Sequence, residues 1–137
     1  MKNNIAQFSV LFIVFTALLL SCKKDDSNNS PIDLIVTTGT WKVSYYHENN
    51  EDKTSNFSDY TFTFGDNGTM TASNSGGTTT GTWTSDDSEN EIHISLGNTE
   101  PLKDLSKGWL IISKSSTEIV LKDDDITHLE ELHFTIN

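Results

Sequence analysis

Tyr60-Thr61-Phe62-Thr63-Phe64-Gly65-Asp66-Asn67-Gly68-Thr69 decides the fold of this 137-residue chain. Aromatic residues alternate with threonines, the period of a strand that buries one face and wets the other. Asn67-Gly68 then supplies a pair that tolerates the positive φ of tight hairpin turns, and Thr69 to Ser73 returns alongside. The stretch reads as strand, turn, strand.

Working outward, the same period recurs and helical periodicity is nearly absent. Thr40 to His47 places Trp41, Val43 and Tyr45 on one face and Lys42, Ser44 and Tyr46 on the other. After Asn74-Ser75-Gly76-Gly77, a strand over Thr78 to Thr84 turns Trp83 inward, and Glu91 to Leu96 does the same with Ile92, Ile94 and Leu96. Trp109 to Lys114 and Glu118 to Lys122 form a hairpin across Ser115-Ser116, and Leu129 to Ile136 closes the domain with Leu132, Phe134 and Ile136 on one face. The longer connections are Glu48 to Ser58 and Gly97 to Lys107, the second with a single helical turn at Leu102 to Lys107. The expectation is an all-β domain, a small eight-stranded antiparallel up-and-down barrel, since closure removes both unpaired edges. A β-sandwich is the alternative if the long connections carry the chain between two sheets.

The inward set includes Trp41, Phe64, Met70, Ile92, Leu110 and Ile112, and eight strands leave little room beyond that needed for side chains. A packed core is therefore expected. A ligand cavity, if formed, is walled by Tyr45, Tyr60, Phe62, Trp83 and Phe134. With Leu110 and Ile112 inward, Trp109 and Ile111 point out, either under a covering segment or as a partner patch.

The chain carries nine lysines, no arginine and 20 acidic residues, a formal charge of −11. That balance excludes a nucleic-acid partner, which needs clustered Lys and Arg. The four histidines, His47, His93, His128 and His133, have no metal-ligand spacing, and Asp86-Asp87-Ser88-Glu89 and Asp123-Asp124-Asp125 lack the glycine and terminal glutamate of an EF-hand loop, so no metal is expected. No nucleophile elbow or cysteine nucleophile is present in the folded part, so no catalytic residues are assigned and an enzyme is not expected.

The first 21 residues read as an export signal: Lys2, an apolar run from Ile5 to Leu20, then the small Ser21. Leu19-Leu20-Ser21-Cys22 resembles the lipobox of bacterial lipoproteins, in which the cut falls before the cysteine and its thiol and new amino group are acylated. Cys22 is the single cysteine, so no internal disulfide competes for it. Acylation anchors firmly, because each buried CH₂ contributes about 0.8 kcal/mol and two or more chains suffice. Lys24-Asp25-Asp26 resembles the export signal behind the cysteine of Bacteroidota surface lipoproteins, which implies the cell-surface side of the outer membrane; the periplasmic face is the alternative. The domain expectation is a signal peptide over 1–21, lipidated cysteine and tether over 22–33, and a folded monomeric domain over 34–137. Processing removes one lysine, leaving eight against 20 acids, a charge of −12.

Gly39-Thr40-Trp41, the Tyr60 to Phe64 strand running into Asp66-Asn67-Gly68-Thr69, and Gly81-Thr82-Trp83 together resemble the lipocalin-like domains of Bacteroidota lipoproteins over roughly Leu34 to Asn137. The resemblance implies binding of a small hydrophobic molecule or an envelope component, with no cofactor beyond the lipid on Cys22. The chain departs from the larger family in having no arginine to stack on Trp41. An interaction or inhibitor module with a filled barrel is a second expectation, and glycan binding through Trp109, Tyr46 and the tyrosine-rich first strand a third.

Overall fold

The structure, a computed structural model, describes residues 30–137; the signal segment, Cys22 and the tether as far as residue 29 lie outside the described residues. No helix among the described residues is long and apolar enough to cross a membrane. Nine strands follow one short helix: α1 (Ile32–Val36), β1 (Thr40–Glu48), β2 (Glu51–Asp52), β3 (Thr61–Phe64), β4 (Thr69–Asn74), β5 (Gly77–Asp86), β6 (Glu91–Ser95), β7 (Gly108–Lys114), β8 (Glu118–Asp123) and β9 (Glu130–Ile136). All pair antiparallel, and β9 returns to β1 along Trp41↔Ile136 to Glu48↔Glu130, so the sheet closes as an eight-stranded barrel with β2 added at its rim. Closure excludes the sandwich.

The hairpin at 65–68 forms with Gly68 at φ +80°, a conformation only glycine adopts freely. Asn67 holds it differently from the expected pair of positive φ values, since its Oδ1 accepts the Thr69 N–H at 3.0 Å. Gly81 answers a second demand. A Cβ there would run into the Ser95 carbonyl, so β5 and β6 approach this closely only without a side chain.

One end of the barrel is sealed by α1, whose Ile32, Ile35 and Val36 share a face and are buried. The Trp41 indole N–H donates to the Val36 carbonyl at 2.8 Å, which locks α1 over the start of β1. Ile32 is fully buried. The folded domain thus begins at Ile32, and the expected tether over 22–33 is too long by its last two residues. The Ile-x-x-Ile-Val spacing of residues 32–36 is that of an apolar helix face. At the other end, 3₁₀ turns at Thr54–Phe57 and Leu102–Leu105 bury Phe57, Leu102 and Leu105. The expected loop from Glu48 to Ser58 is therefore structured: Asn49 and Asn50, at φ 52° and 66°, make a tight turn into β2.

Two strands carry their side chains in a phase other than expected. In β1 the register slips between Val43 and Tyr45, opposite Phe134 and His133, leaving Ser44 as a bulge. Beyond it the faces exchange: Tyr46 is fully buried, and Tyr45 lies outside, stacked on His47 with ring centroids 4.3 Å apart. In β7, Trp109 stands opposite the inward Ile92 and Ile111 opposite the inward Leu121, so Trp109 and Ile111 are buried and Ile112 is 54% exposed. Four consecutive apolar residues offered both phases. The Trp109 indole N–H, donating to the Leu105 carbonyl at 3.0 Å, fixes the one adopted.

Candidate functional site

The residues expected to wall a cavity are only partly brought together. Phe62 and Phe134 are fully buried and meet edge to face at 5.3 Å; Phe64 joins Phe134 at 5.8 Å and Trp83 at 5.6 Å. Tyr60 packs on Phe62 at the margin, at 6.0 Å. These rings fill the centre of the barrel with one another, the arrangement aromatic quadrupoles favour. Tyr45 is not among them, because the bulge at Ser44 put it outside. Trp109 and Ile111, expected as a partner patch, are core residues, and with Trp41, Trp83 and Tyr46 also buried no tryptophan platform for a sugar exists.

The open surface instead carries a groove of about 390 Å³ on the outer face of β7, β8, β9 and β1, walled by the loop from Asp124 to Leu129. Four large apolar side chains stand exposed among the described residues, and three of them, Ile112 (54%), Ile126 (87%) and Leu129 (61%), line this groove together with Leu110 and Tyr45. Clustered exposure of this kind marks binding surfaces, whereas scattered apolar residues do not. The Tyr45 ring is held upright between His47 and His133, whose centroids lie 4.3 and 4.7 Å away.

The groove ends on a buried ionic network. Asp123 continues the inward series Ile119, Leu121, and Glu130 begins the series Leu132, Phe134, so period two carries both carboxylates to the barrel mouth, where they are 6% and 7% exposed. Lys107 Nζ bridges them, 3.2 Å from Asp123 Oδ2 and 2.5 Å from Glu130 Oε2, and lies 5.5 Å from the Trp109 ring centroid. The Tyr46 hydroxyl donates to Glu130 Oε2 at 3.1 Å. Burial alone would depress the Lys107 ammonium, but the hydrogen bonds and charges of Glu130 and Asp123 outweigh it and hold its pKa above the ordinary value. For Asp123 burial acts upward, and the Asp125 backbone N–H together with Lys107 outweighs it and holds the carboxyl below its usual range. Burial, then the Glu130 carboxylate, pushes Tyr46 far above a normal phenol.

Asp123, His128 and Glu130 bring atoms of metal-ligand type within 4.8 Å of one another. The Lys107 ammonium, however, already sits between the two carboxylates, where a cation would have to enter. A larger recess of about 640 Å³ lies at the same end, between Glu48, Lys53, Glu100 and Asp104. Its walls are polar and its lysines are paired within it, Lys53 to Glu48 and Lys103 to Glu100. The smaller groove is the better candidate because it joins apolar walls to a few fixed polar groups, the composition of small-molecule sites. The sequence signal for the network was the continued alternation into Asp123 and Glu130; the groove loop, with its isolated Ile126 and Leu129, had none.

The molecule is thus of a definite class, a small closed antiparallel β-barrel with a packed interior, one helical plug, and an apolar groove on its outer wall. Among solved structures it is similar to a DUF4847 family protein from Bacteroides vulgatus ATCC 8482, with a TM-score of 0.60 and 20% identity, covering 78% of this chain and 98% of that one. At that identity the likeness concerns the fold alone. No family model matches the chain, and no curated protein matches it.

Proposed function

We propose that this protein is a noncatalytic lipoprotein of the bacterial outer membrane, anchored through Cys22 and facing the cell surface, that binds a small apolar molecule in the outer groove rather than inside the barrel. The observation that carries the reading is the gathering of Ile112, Ile126 and Leu129 around one groove of about 390 Å³, within the size range of small-molecule sites.

The described chain enters the domain at the end opposite the polar end of the groove. The tether meets the domain at α1, beside Trp41 at the start of β1, whereas the polar end of the groove lies beside His47 at the finish of β1, about 20 Å along the strand. A protein partner is the second reading, favoured by Ile126, which at 87% exposure projects like a side chain meant to enter a neighbour's surface.

Labelled palmitate is expected to enter the wild type and not Cys22→Ser; equal labelling overturns the anchor. An uncharged fluorescent probe such as N-phenyl-1-naphthylamine is expected to bind the processed chain and to be lost from Ile112→Ser. Probe binding that survives that change, or no binding at all, overturns the groove.

A further inference from the structure

We infer that two copies of this chain join through β5, edge to edge and antiparallel about Thr79, so that the sheet runs on from one barrel into the next. This surface lies apart from the groove and does not depend on it. Although the barrel closes, one part of its sheet stays open: β4 flanks β5 from Gly77 to Thr82, whereas β6 flanks it only from Thr82 to Asp86. The cause is local. β5 and β6 come close at Gly81, after which Leu96 turns into the core and Gly97, at φ +92°, takes the chain away. Thr78 to Thr80 therefore has a strand on one side and none on the other.

The open side presents backbone groups ready to pair. The Trp83 N–H donates to the Gly68 carbonyl at 2.9 Å, on the β4 side, and alternate residues of an antiparallel ladder address opposite neighbours. With the register unbroken from Thr69↔Thr82 to Asn74↔Gly77, Thr78 and Thr80 aim their N–H and C=O groups away from β4. Among the described residues no turn or loop backbone bond reaches them. Edges of this kind are ordinarily guarded by a charge, a proline, a bulge or a covering segment, but Thr78, Thr79 and Thr80 carry no such guard and all three are exposed. Their β-branched side chains suit a strand that accepts another.

Symmetry selects the occupant. Thr78 and Thr80 stand evenly about Thr79, so a two-fold axis there sets Thr78 against the partner's Thr80 and Thr80 against the partner's Thr78, and each pair exchanges both of its bonds. Every open group on the edge is then satisfied. A chain with a formal charge of −11 repels its copy over most approaches, and this uncharged strip lets two such chains meet without opposed carboxylates. Four hydrogen bonds barely exceed the freedom lost on association, so the dissociation constant in solution is on the order of 0.1–1 mM. Chains held together on a membrane, as proposed above, meet at a higher effective concentration.

The test uses the processed chain, residues 22–137, carrying Cys22→Ser so that no acyl chain or thiol of its own intervenes. Sedimentation velocity from about 10 μM to about 1 mM should show a reversible dimer at the upper end. Thr79→Lys sets like charges against each other at the axis, and Thr80→Pro removes an N–H that β4 does not use; each should weaken dimerisation at least about tenfold. Thr79→Cys should form an intermolecular disulfide under copper-phenanthroline oxidation, because facing residues of a non-hydrogen-bonded pair lie about 4.5 Å apart at Cα, within disulfide range. Thr63→Cys, on the outer face of β3, should not. A chain that stays monomeric throughout, with Thr79→Cys no more crosslinked than Thr63→Cys, overturns the proposal. A dimer that Thr79→Lys leaves intact also overturns it, and loss of that dimer in Ile112→Ser with Ile126→Ser would place the second copy on the groove instead.

Discussion

Lys107 donates to Glu130 across 2.5 Å from the residue just ahead of β7 to the first residue of β9, joining parts of the sheet that have β8 between them. The carboxylate it reaches is buried, and so is Asp123, which it also holds. This contact makes a charged barrel mouth compatible with the packed core beneath it.

Lys107→Met is expected to cost about 3 kcal/mol in urea unfolding, because removing one partner leaves two buried carboxylates uncompensated. Asp123 has a lowered folded pKa, so its contribution is complete above its unfolded value near 3.8 and is lost as the pH falls through the folded value below that. Lys107 has a raised one, so its contribution is complete below about 10.5 and is lost as the pH rises through the folded value above that. The gap between wild type and variant should accordingly stay constant from pH 5 to 9 and narrow below about pH 4. A gap that is absent at pH 7 would show that the ammonium is not needed by the carboxylates.

Tyr46→Phe removes the donor to Glu130 and should cost about 1.5–3 kcal/mol, the range for a hydrogen bond to a charged group. Tyr45→Phe removes a hydroxyl from the outer face and should cost less than about 0.5 kcal/mol. In an absorbance titration of the wild type the Tyr46 phenol should lag beyond the ordinary tyrosine range, since burial and the Glu130 charge both oppose its ionisation, and the lagging component should vanish in Tyr46→Phe. The reverse ranking of the two variants would place the β1 bulge elsewhere.

The eight barrel strands were legible from alternating runs in most of them and from turn residues around the rest, and the Tyr60 to Thr69 hairpin is set by its own turn chemistry. What was not legible has a common cause in contacts distant along the chain. The bulge at Ser44 exists because β1 must match β9, with Val43 opposite Phe134 and Tyr45 opposite His133, and nothing within Trp41 to His47 states that register. Trp109 to Ile112 is apolar at every position, so its phase is chosen by Ile92, Leu121 and the Leu105 carbonyl. Those two choices moved Tyr45 from the cavity wall to the outer groove and Trp109 and Ile111 from the surface into the core. Asp123 and Glu130 flank the loop between β8 and β9, Lys107 lies two strands before Glu130, and pairing of the β7–β8–β9 meander assembles the three at the barrel mouth.

Ile32→Ala should destabilise the domain by about 2–4 kcal/mol, the cost of emptying a buried isoleucine site. Leu34→Ala, on the exposed face of the same helix at 62%, should leave the unfolding midpoint within about 0.5 kcal/mol of wild type. A chain that begins at Leu34 should unfold at lower urea than one that begins at Ser30. Equal stability of those two chains would return Ile32 to the tether.

Ile111→Ser and Ile112→Ser, one residue apart in β7, should separate folding from binding. Ile111 is 3% exposed and packs opposite Leu121, so serine there loses the buried side chain and places a hydroxyl among apolar neighbours, costing about 3 kcal/mol or more. Ile112 is 54% exposed on the groove wall, so the same change should cost less than about 0.5 kcal/mol in urea unfolding. Its effect should instead appear in binding, as loss of the apolar probe, because it removes a wall and not a support. Equal loss of stability in the two variants would mean that Ile112 is covered by structure of its own, and the groove would then have no apolar wall to offer.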